Sequence, residues 1–574
     1  MRSWQRPLLR ADDDHFAVGA GSGILTGPLE TGVSFPSVIQ DADRFHRLRW
    51  WGLAAISLGV ALIIMDATIV AVATPAIIES LDLTTTQVQW VQEVYTLVFA
   101  ALLMVWGTMS DRIGRRRLLL IGLGIFVGAS ILCAFATSGT WLIAARALQG
   151  VGGSMILPTT LALLNATFRG SERSIAFAVW GSTIGSMAAV GPVVGGWLTS
   201  AFSWHWAFWI NLPFGILVII GVLICVPESR QRGASRFTDW VGAGASILGF
   251  GMLVFALIEG RAYGWWEATD SAPVSLGGFS IIPILFVLAV VVLGVLVLRE
   301  RSRVAAGKSV LLDVTLFRIP TFSNGNVTAL TVSLGEFGLI LSLPLWFQYV
   351  LGMDALQAGL ALLPLAVGSF VASGSIHSLG KYLSPVQMVR LGILLEIVSL
   401  AVMALLIRPD STLWVTGVPL FFYGMGVGFA TAQLTQLILV DVPLDKSGQA
   451  SSTQSTARQV GSALGIAILG TALFTTLRAG TEARLSDQIA ADPAVGDLVA
   501  GVSDSAGALI AELAGNPATA PIADAAREAL TQGVSVAAWI AISALVVGLL
   551  TTIPLGRRVA EESAEEPRAV DAES

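Results

Sequence analysis

Gly107–Thr108–Met109–Ser110–Asp111–Arg112–Ile113–Gly114–Arg115–Arg116–Arg117 lies between two apolar segments, each long enough to cross a bilayer. Five charges in so short a stretch make a tight turn at a membrane face. Gly107 lets helices approach, Asp111 accepts hydrogen bonds from orphan backbone N–H groups or pairs with a nearby arginine, and Gly114 permits the bend. Arg115, Arg116 and Arg117 alone would make an ordinary basic loop. The ordered pattern, in which Arg112 follows the acid directly, goes beyond that and points to a part that moves.

The surrounding chain reads as an integral membrane protein. Of its 574 residues 54% are hydrophobic and 13% charged, against about 25% charged in soluble domains, and the mean hydropathy is +0.76. A span takes roughly 20 apolar residues. Fourteen segments qualify: 52–76, 89–110, 118–138, 141–163, 176–199, 206–226, 238–259, 276–298, 322–350, 355–377, 386–407, 412–440, 449–477 and 534–555. No soluble catalytic domain fits between them. The net charge of -6 signals no nucleic-acid partner, because the basic residues are sorted by loop and form no patch. Cys133 and Cys225 fall in apolar segments and read as buried thiols. His15, His46, His205 and His377 show no ligand spacing, so no metal site is expected. Residues 1–50 lack an apolar core followed by a cleavage site, and are expected to be a tail and not a cleaved signal peptide.

Lys and Arg in short loops stay cytoplasmic. Arg44, Arg47 and Arg49 precede the first span, the basic turn follows the second, Arg169 and Arg173 the fourth, and Arg230, Arg232 and Arg236 the sixth. Arg299, Arg301, Arg303, Lys308 and Arg318 follow the eighth, Lys381 the tenth, Lys446 the twelfth, and Arg557 and Arg558 the last. The alternate short loops hold only Arg261 and Arg408. Both termini are therefore expected inside, with an external loop at 478–533 folded as a helical hairpin. The echo of Gly150–Val151–Gly152–Gly153 in Gly424–Met425–Gly426–Val427–Gly428 points to a parallel repeat. The expected division is a tail at 1–50, a six-helix bundle at 51–226, two inserted helices with a linker at 227–320, a second bundle at 321–556 and a tail at 557–574.

Several residues within the spans carry chemistry. Gly181, Gly185, Ala189, Pro192 and Gly196 follow at intervals of four, four, three and four, which sets small residues and a kink on one helix face. Generic small-residue packing and a specific role are both compatible with that spacing. Arg146 shares a face with Gly150 and Gly153. A charge within a span faces a cavity or a partner, or snorkels from the helix end. Asp66, Glu93, Glu336 and Glu396 are acids within spans. A buried carboxylate without a cation can take up and release a proton as access alternates between the two sides. Asp66 could instead serve a structural hydrogen bond near Thr68, and Glu93 lies a turn from the outer edge.

The opening stretch resembles the signature loop between the second and third helices of the major facilitator superfamily, and the resemblance runs along nearly the whole span region. Arg146, Gln149 and Gly150 match that family's R-x-x-q-G motif, and Gly191–Pro192–Val193–Val194–Gly195–Gly196 is similar to the G-P-x-x-G-G motif of its exporters. Ser203 to Pro213 and Met65–Asp66–Ala67–Thr68–Ile69–Val70 resemble segments of the fourteen-span drug:proton antiporter branch. Trp90–Val91–Gln92–Glu93–Val94–Tyr95 is similar to exporters of quaternary ammonium compounds. Ala71 and Thr74 depart from the first-helix motif, and Ser378 stands where a second copy of the signature loop would have its acid.

The resemblance implies an all-α membrane protein of two six-helix bundles plus two central helices. It also implies a proton-coupled antiporter in the cell membrane that exports hydrophobic, cationic drugs; a dedicated exporter of a metabolite, antibiotic or lipid is the alternative, and a membrane sensor the third reading. Asp66, Glu93, Glu336 and Arg146 are the proton-coupling candidates. Gly107, Asp111, Arg112, Gly114, Arg115 and Arg116 form the expected switch, expected on one side only, and Gly191, Pro192, Gly195 and Gly196 the expected kink. Trp90, Tyr95, Phe337 and Trp346 are candidate walls for a cationic substrate, or else interfacial or lipid-facing bulk. No nucleophile–base pair is visible. No G-x-x-x-x-G-K-[ST] loop occurs, so a proton gradient and not ATP is the expected driver, with no cofactor. Small molecules, protons and the bilayer are the expected partners of a monomer.

Overall fold

The computed structural model describes residues 37–230, 239–269, 272–505 and 507–555. The expected C-terminal tail, Arg232, Arg236, and most of the expected N-terminal tail lie outside them. The first half runs α1 (Ser37–Leu81), α2 (Thr85–Ile113), α3 (Arg115–Ala134), α4 (Gly139–Thr167), α5 (Gly170–Ala201), α6 (Trp206–Trp209) and α7 (Asn211–Cys225). Next come α8 (Trp240–Glu259), a two-residue hairpin β1 (Ser275–Leu276) and β2 (Phe279–Ser280), and α9 (Ile282–Ala305). The rest is α10 (Pro320–Tyr349), α11 (Ala355–Ala361), α12 (Leu363–Leu379), α13 (Pro385–Leu406), α14 (Leu413–Val440), α15 (Ser447–Arg484), α16 (Ser486–Ala491), α17 (Pro493–Asp504), α18 (Leu509–Ala514) and α19 (Ala520–Thr551).

Among the described residues thirteen helices are long and apolar enough to cross a membrane, or fourteen if the bent α5 counts as one span. The helices start where the chain supplies caps. Thr84 and Gln87 form a reciprocal capping box on α2, as do Ser384 and Gln387 on α13. The α5 bend measures 44°, and Pro192 accounts for it: proline has no N–H to bond four residues back and its ring crowds that carbonyl.

Some bounds differ from the sequence reading. The segment expected to begin a span at 276 first makes the β1–β2 hairpin, and its helix starts at Ile282. The expected external loop at 478–533 is largely helical: α15 continues to Arg484, α19 begins at Ala520, and three short helices stand between them in place of a hairpin. Val499, Val502, Ile510 and Leu513 bury their side chains in the same apolar core as the spans. That burial is a favourable term a polar-looking composition hides.

The two glycine runs make equivalent contacts. A Cβ on Gly152 would come within 2.6 Å of the Phe126 backbone, and one on Gly426 within 2.6 Å of the Gly392 carbonyl. Thus α4 rides on α3, and α14 on α13, at a distance only glycine allows.

Candidate functional site

Asp66, midway along α1, is fully buried, and Arg146 of α4 is 1% exposed. An Arg146 Nη donates to Asp66 Oδ2 at 2.6 Å. Gln149 Nε2 and Asn211 Nδ2 both donate to Asp66 Oδ1, at 2.7 and 2.6 Å. Ser130 of α3 accepts from the same two amides and donates to the Phe126 carbonyl. Arg146 also donates to Gln149 Oε1 and the Val91 carbonyl, and its guanidinium stacks 4.5 Å above the Tyr95 ring. Five helices thus meet at one ion pair. Because Arg146 is enclosed, it does not snorkel. In a medium this dry, removing either charge leaves the other unmatched, at a cost of about 3–5 kcal/mol.

A second constellation lies at the end of α2. Asp111 accepts from Arg115 at 2.8 Å and from the backbone N–H groups of Gly448 and Gln449 at 2.9 and 3.2 Å. Those N–H groups belong to the first turn of α15, which has no side-chain cap of its own. Asp111 therefore caps a helix of the other half of the chain, where a carboxylate meets the positive end of the helix dipole. Arg115 also donates to the Leu444 carbonyl at 2.8 Å, and Asn165 of α4 to the Ser447 hydroxyl at 2.9 Å. A Cβ on Gly107 would collide with Ser452 and the Gly448 carbonyl. Arg112 donates to the Val310 carbonyl at 3.3 Å. Gly114 has φ 116°, and a Cβ there would lie 2.7 Å from Glu228, which accepts from the Arg116 and Arg117 N–H groups. Arg116 itself donates to the Leu223 carbonyl at 2.6 Å. At Gly374 a Cβ would meet nothing, and Ser378 only bonds the Ser375 carbonyl.

The remaining candidates do not join Asp66. Glu93 lies against Glu259 at the end of α8, carboxyl to carboxyl, with no cation hydrogen-bonded to either among the described residues. Trp90 faces α8 as well, its ring 6.1 Å from that of Phe255. Glu336 pairs with Arg458 of α15 at 3.2 Å and accepts from Thr431. Glu396 is fully buried beside Glu336 and Tyr423. The acids thus form three separate clusters. Tyr95 belongs to the Asp66 network, and Phe337 is half-buried. Trp346 is fully buried, with its indole N–H given to Thr531 of α19 at 2.9 Å, and ties α10 to α19.

Along α5, Gly191 and Gly195 press on Thr68 and Ile69 of α1, while Gly181 and Gly196 face Ala432 and Leu356 of the second half. The helix is smooth on both sides because it is packed closely against α1 on one and against helices of the second half on the other. Ser130, Glu259 and Arg458 are site residues that sequence reasoning did not select, while Gln149 and Asn211 entered it only as positions within motifs, without a role. Glu259 and Arg458 carried a usable signal, since each is an ionisable residue within a span; Asn211 stood inside the quoted Ser203 to Pro213 segment, and Ser130 carried none.

Residues 56–466 match the profile of the Major Facilitator Superfamily, and the chain belongs to that family of membrane transporters. It is a multi-pass membrane protein. It is 33% identical over 507 residues to the multidrug efflux pump LfrA of Mycolicibacterium smegmatis, covering 87% of this chain and 96% of that one. It is 30% identical over 453 residues to a probable actinorhodin transporter of Streptomyces coelicolor, covering 76% and 75%. Among solved structures, the human organic anion transporter MFSD10 (TETRAN) aligns with a TM-score of 0.52 at 13% identity, covering 86% of this chain and 99% of that one. That likeness speaks for the fold.

Proposed function

We propose that the chain exports hydrophobic, cationic compounds in exchange for protons by alternating access, with both termini on the cytoplasmic side. The carrying observation is the buried Asp66–Arg146 pair inside a five-helix network. A carboxylate that must stay charged to match its arginine, yet sits where access can alternate, is a proton-responsive hinge. Protonation from outside releases Arg146 and loosens α1 from α4; deprotonation toward the inside restores the pair. Glu93 and Glu259, two carboxyls in contact near Trp90, share a proton at rest; a lipophilic cation entering beside them would meet the ring face and the charge left when that proton departs. Glu336 with Arg458 is the corresponding buried pair of the second half. The similarity to a multidrug efflux pump supports this reading. Each charge entering down 100 mV contributes roughly 2.3 kcal/mol, enough to drive export without a nucleotide or cofactor.

The test is dye export from proteoliposomes under an imposed pH gradient. Asp66→Asn and Glu93→Gln, inserted at parental levels, are expected to lose gradient-driven export. Parental rates in both variants would sink the proposal. The similarity to a probable actinorhodin transporter favours a second reading, a dedicated exporter of one endogenous compound; resistance to a single compound and not to several unrelated cations would select it.

A further inference from the structure

A cavity of about 980 Å³ lies between α2, α8, α9, α10 and α15, and no acid of the three clusters lines it. Its upper walls are apolar, with Leu253 of α8 and Leu330 of α10 among them. Its other end lies at the arginine-rich face of the protein, where Arg301 of α9 and Arg318 line it. Their neighbours on α9 are already neutralised: Arg299 and Arg303 both pair with Asp239. Arg301 and Arg318 are exposed and, among the described residues, make no ion pair or side-chain hydrogen bond. Two further lining residues, Asn326 and Thr456, are 5% and 4% exposed, and Asn326 Oδ1 and Thr456 Oγ1 have no hydrogen-bond partner. Unmatched buried polar atoms are costly and call for a partner.

We propose that this cavity binds an anionic phospholipid, with its phosphate held by Arg301 and Arg318, its polar backbone beside Asn326 and Thr456, and a chain in the apolar upper part. The order of the lining is the order of groups along such a lipid: cationic, then polar, then apolar. Asn326 lies two turns into α10 from Pro320, the depth at which the ester and glycerol groups follow a phosphate. Two unpaired arginines repel the cationic cargo proposed above, so this is a separate site. The inference rests on the assignment of the arginine-rich face to the cytoplasmic leaflet and is independent of proton coupling. It gives α8 and α9 a role, since they form the outer wall of the cavity.

The test uses the full chain in nanodiscs of phosphatidylcholine mixed with phosphatidylglycerol, with retained lipid counted by native mass spectrometry. At about five-fold per arginine, the parent should retain phosphatidylglycerol over phosphatidylcholine roughly 25-fold beyond its share of the bilayer. Arg301→Gln with Arg318→Gln, both exposed and unlinked to the core, should bring that preference to near parity. Val327→Trp, at a lining position 48% exposed, should lose retention of both lipids. Equal retention of the two lipids by the parent, an unchanged preference in the double variant, or displacement of the lipid by tetraphenylphosphonium would each overturn the assignment. Dye export in the same preparations reads proton coupling separately.

Discussion

Asp66 shows how much one carboxylate depends on its neighbours. Its charge is matched by Arg146, and its second oxygen takes both amide donors. Gln149 is the joint of this network, because it donates to Asp66 and Ser130 while accepting from Arg146. Gln149→Leu removes those bonds and leaves charged partners buried, so it should lower stability by about 1–3 kcal/mol. A thermal melt in detergent reads this; a melting point equal to the parent's would mean the network bears little. Asp66 was legible in the sequence as an acid within a span. Its partners were not, since Arg146 is 80 residues away and Asn211 is 145, and nothing local records that they meet.

At the scale of elements, α2 and α15 are joined end to side through Asp111. The natural thiols Cys133 and Cys225 are both buried, so a single reporter can be read against a quiet background. Ser452 of α15 is fully buried and faces Gly107. Asp111→Asn weakens hydrogen bonds to a charged group, each contributing about 1.5–3 kcal/mol, and should raise thiol labelling of a Ser452→Cys reporter roughly tenfold. An unchanged labelling rate would reject the latch. The pattern around Gly107 and Asp111 singles out this turn from sequence alone. Its receptor, the bare N-terminus of α15, has no residue signature, because backbone N–H groups are the same in every helix.

Across the whole molecule, the linker after α9 is also tied to the second half: Lys446 donates to Asp313 at 2.6 Å. Burial by itself would raise the Asp313 carboxyl, but the Lys446 ammonium and the Thr315 hydroxyl and N–H outweigh it and hold it below the usual range. A carboxyl lowered in the folded state stabilises above its unfolded value, about 3.9, and loses that contribution as pH falls through its folded value. The melting difference between the parent and Asp313→Asn should therefore stay constant from neutral pH to about 4 and shrink only below it. A difference that fades near neutrality would refute the tie. By itself the sequence determined the number of membrane-crossing segments, the basic side of the protein and the motif-bearing turns, because apolar length and loop charge are local properties. The tertiary structure alone decided which acids have cations, that Trp346 bonds Thr531 of a helix far along the chain, and that the basic turn ends on a distant helix N-terminus. Those outcomes depend on which helices lie side by side, and in a bilayer close packing of small residues sets that, leaving no trace in hydropathy.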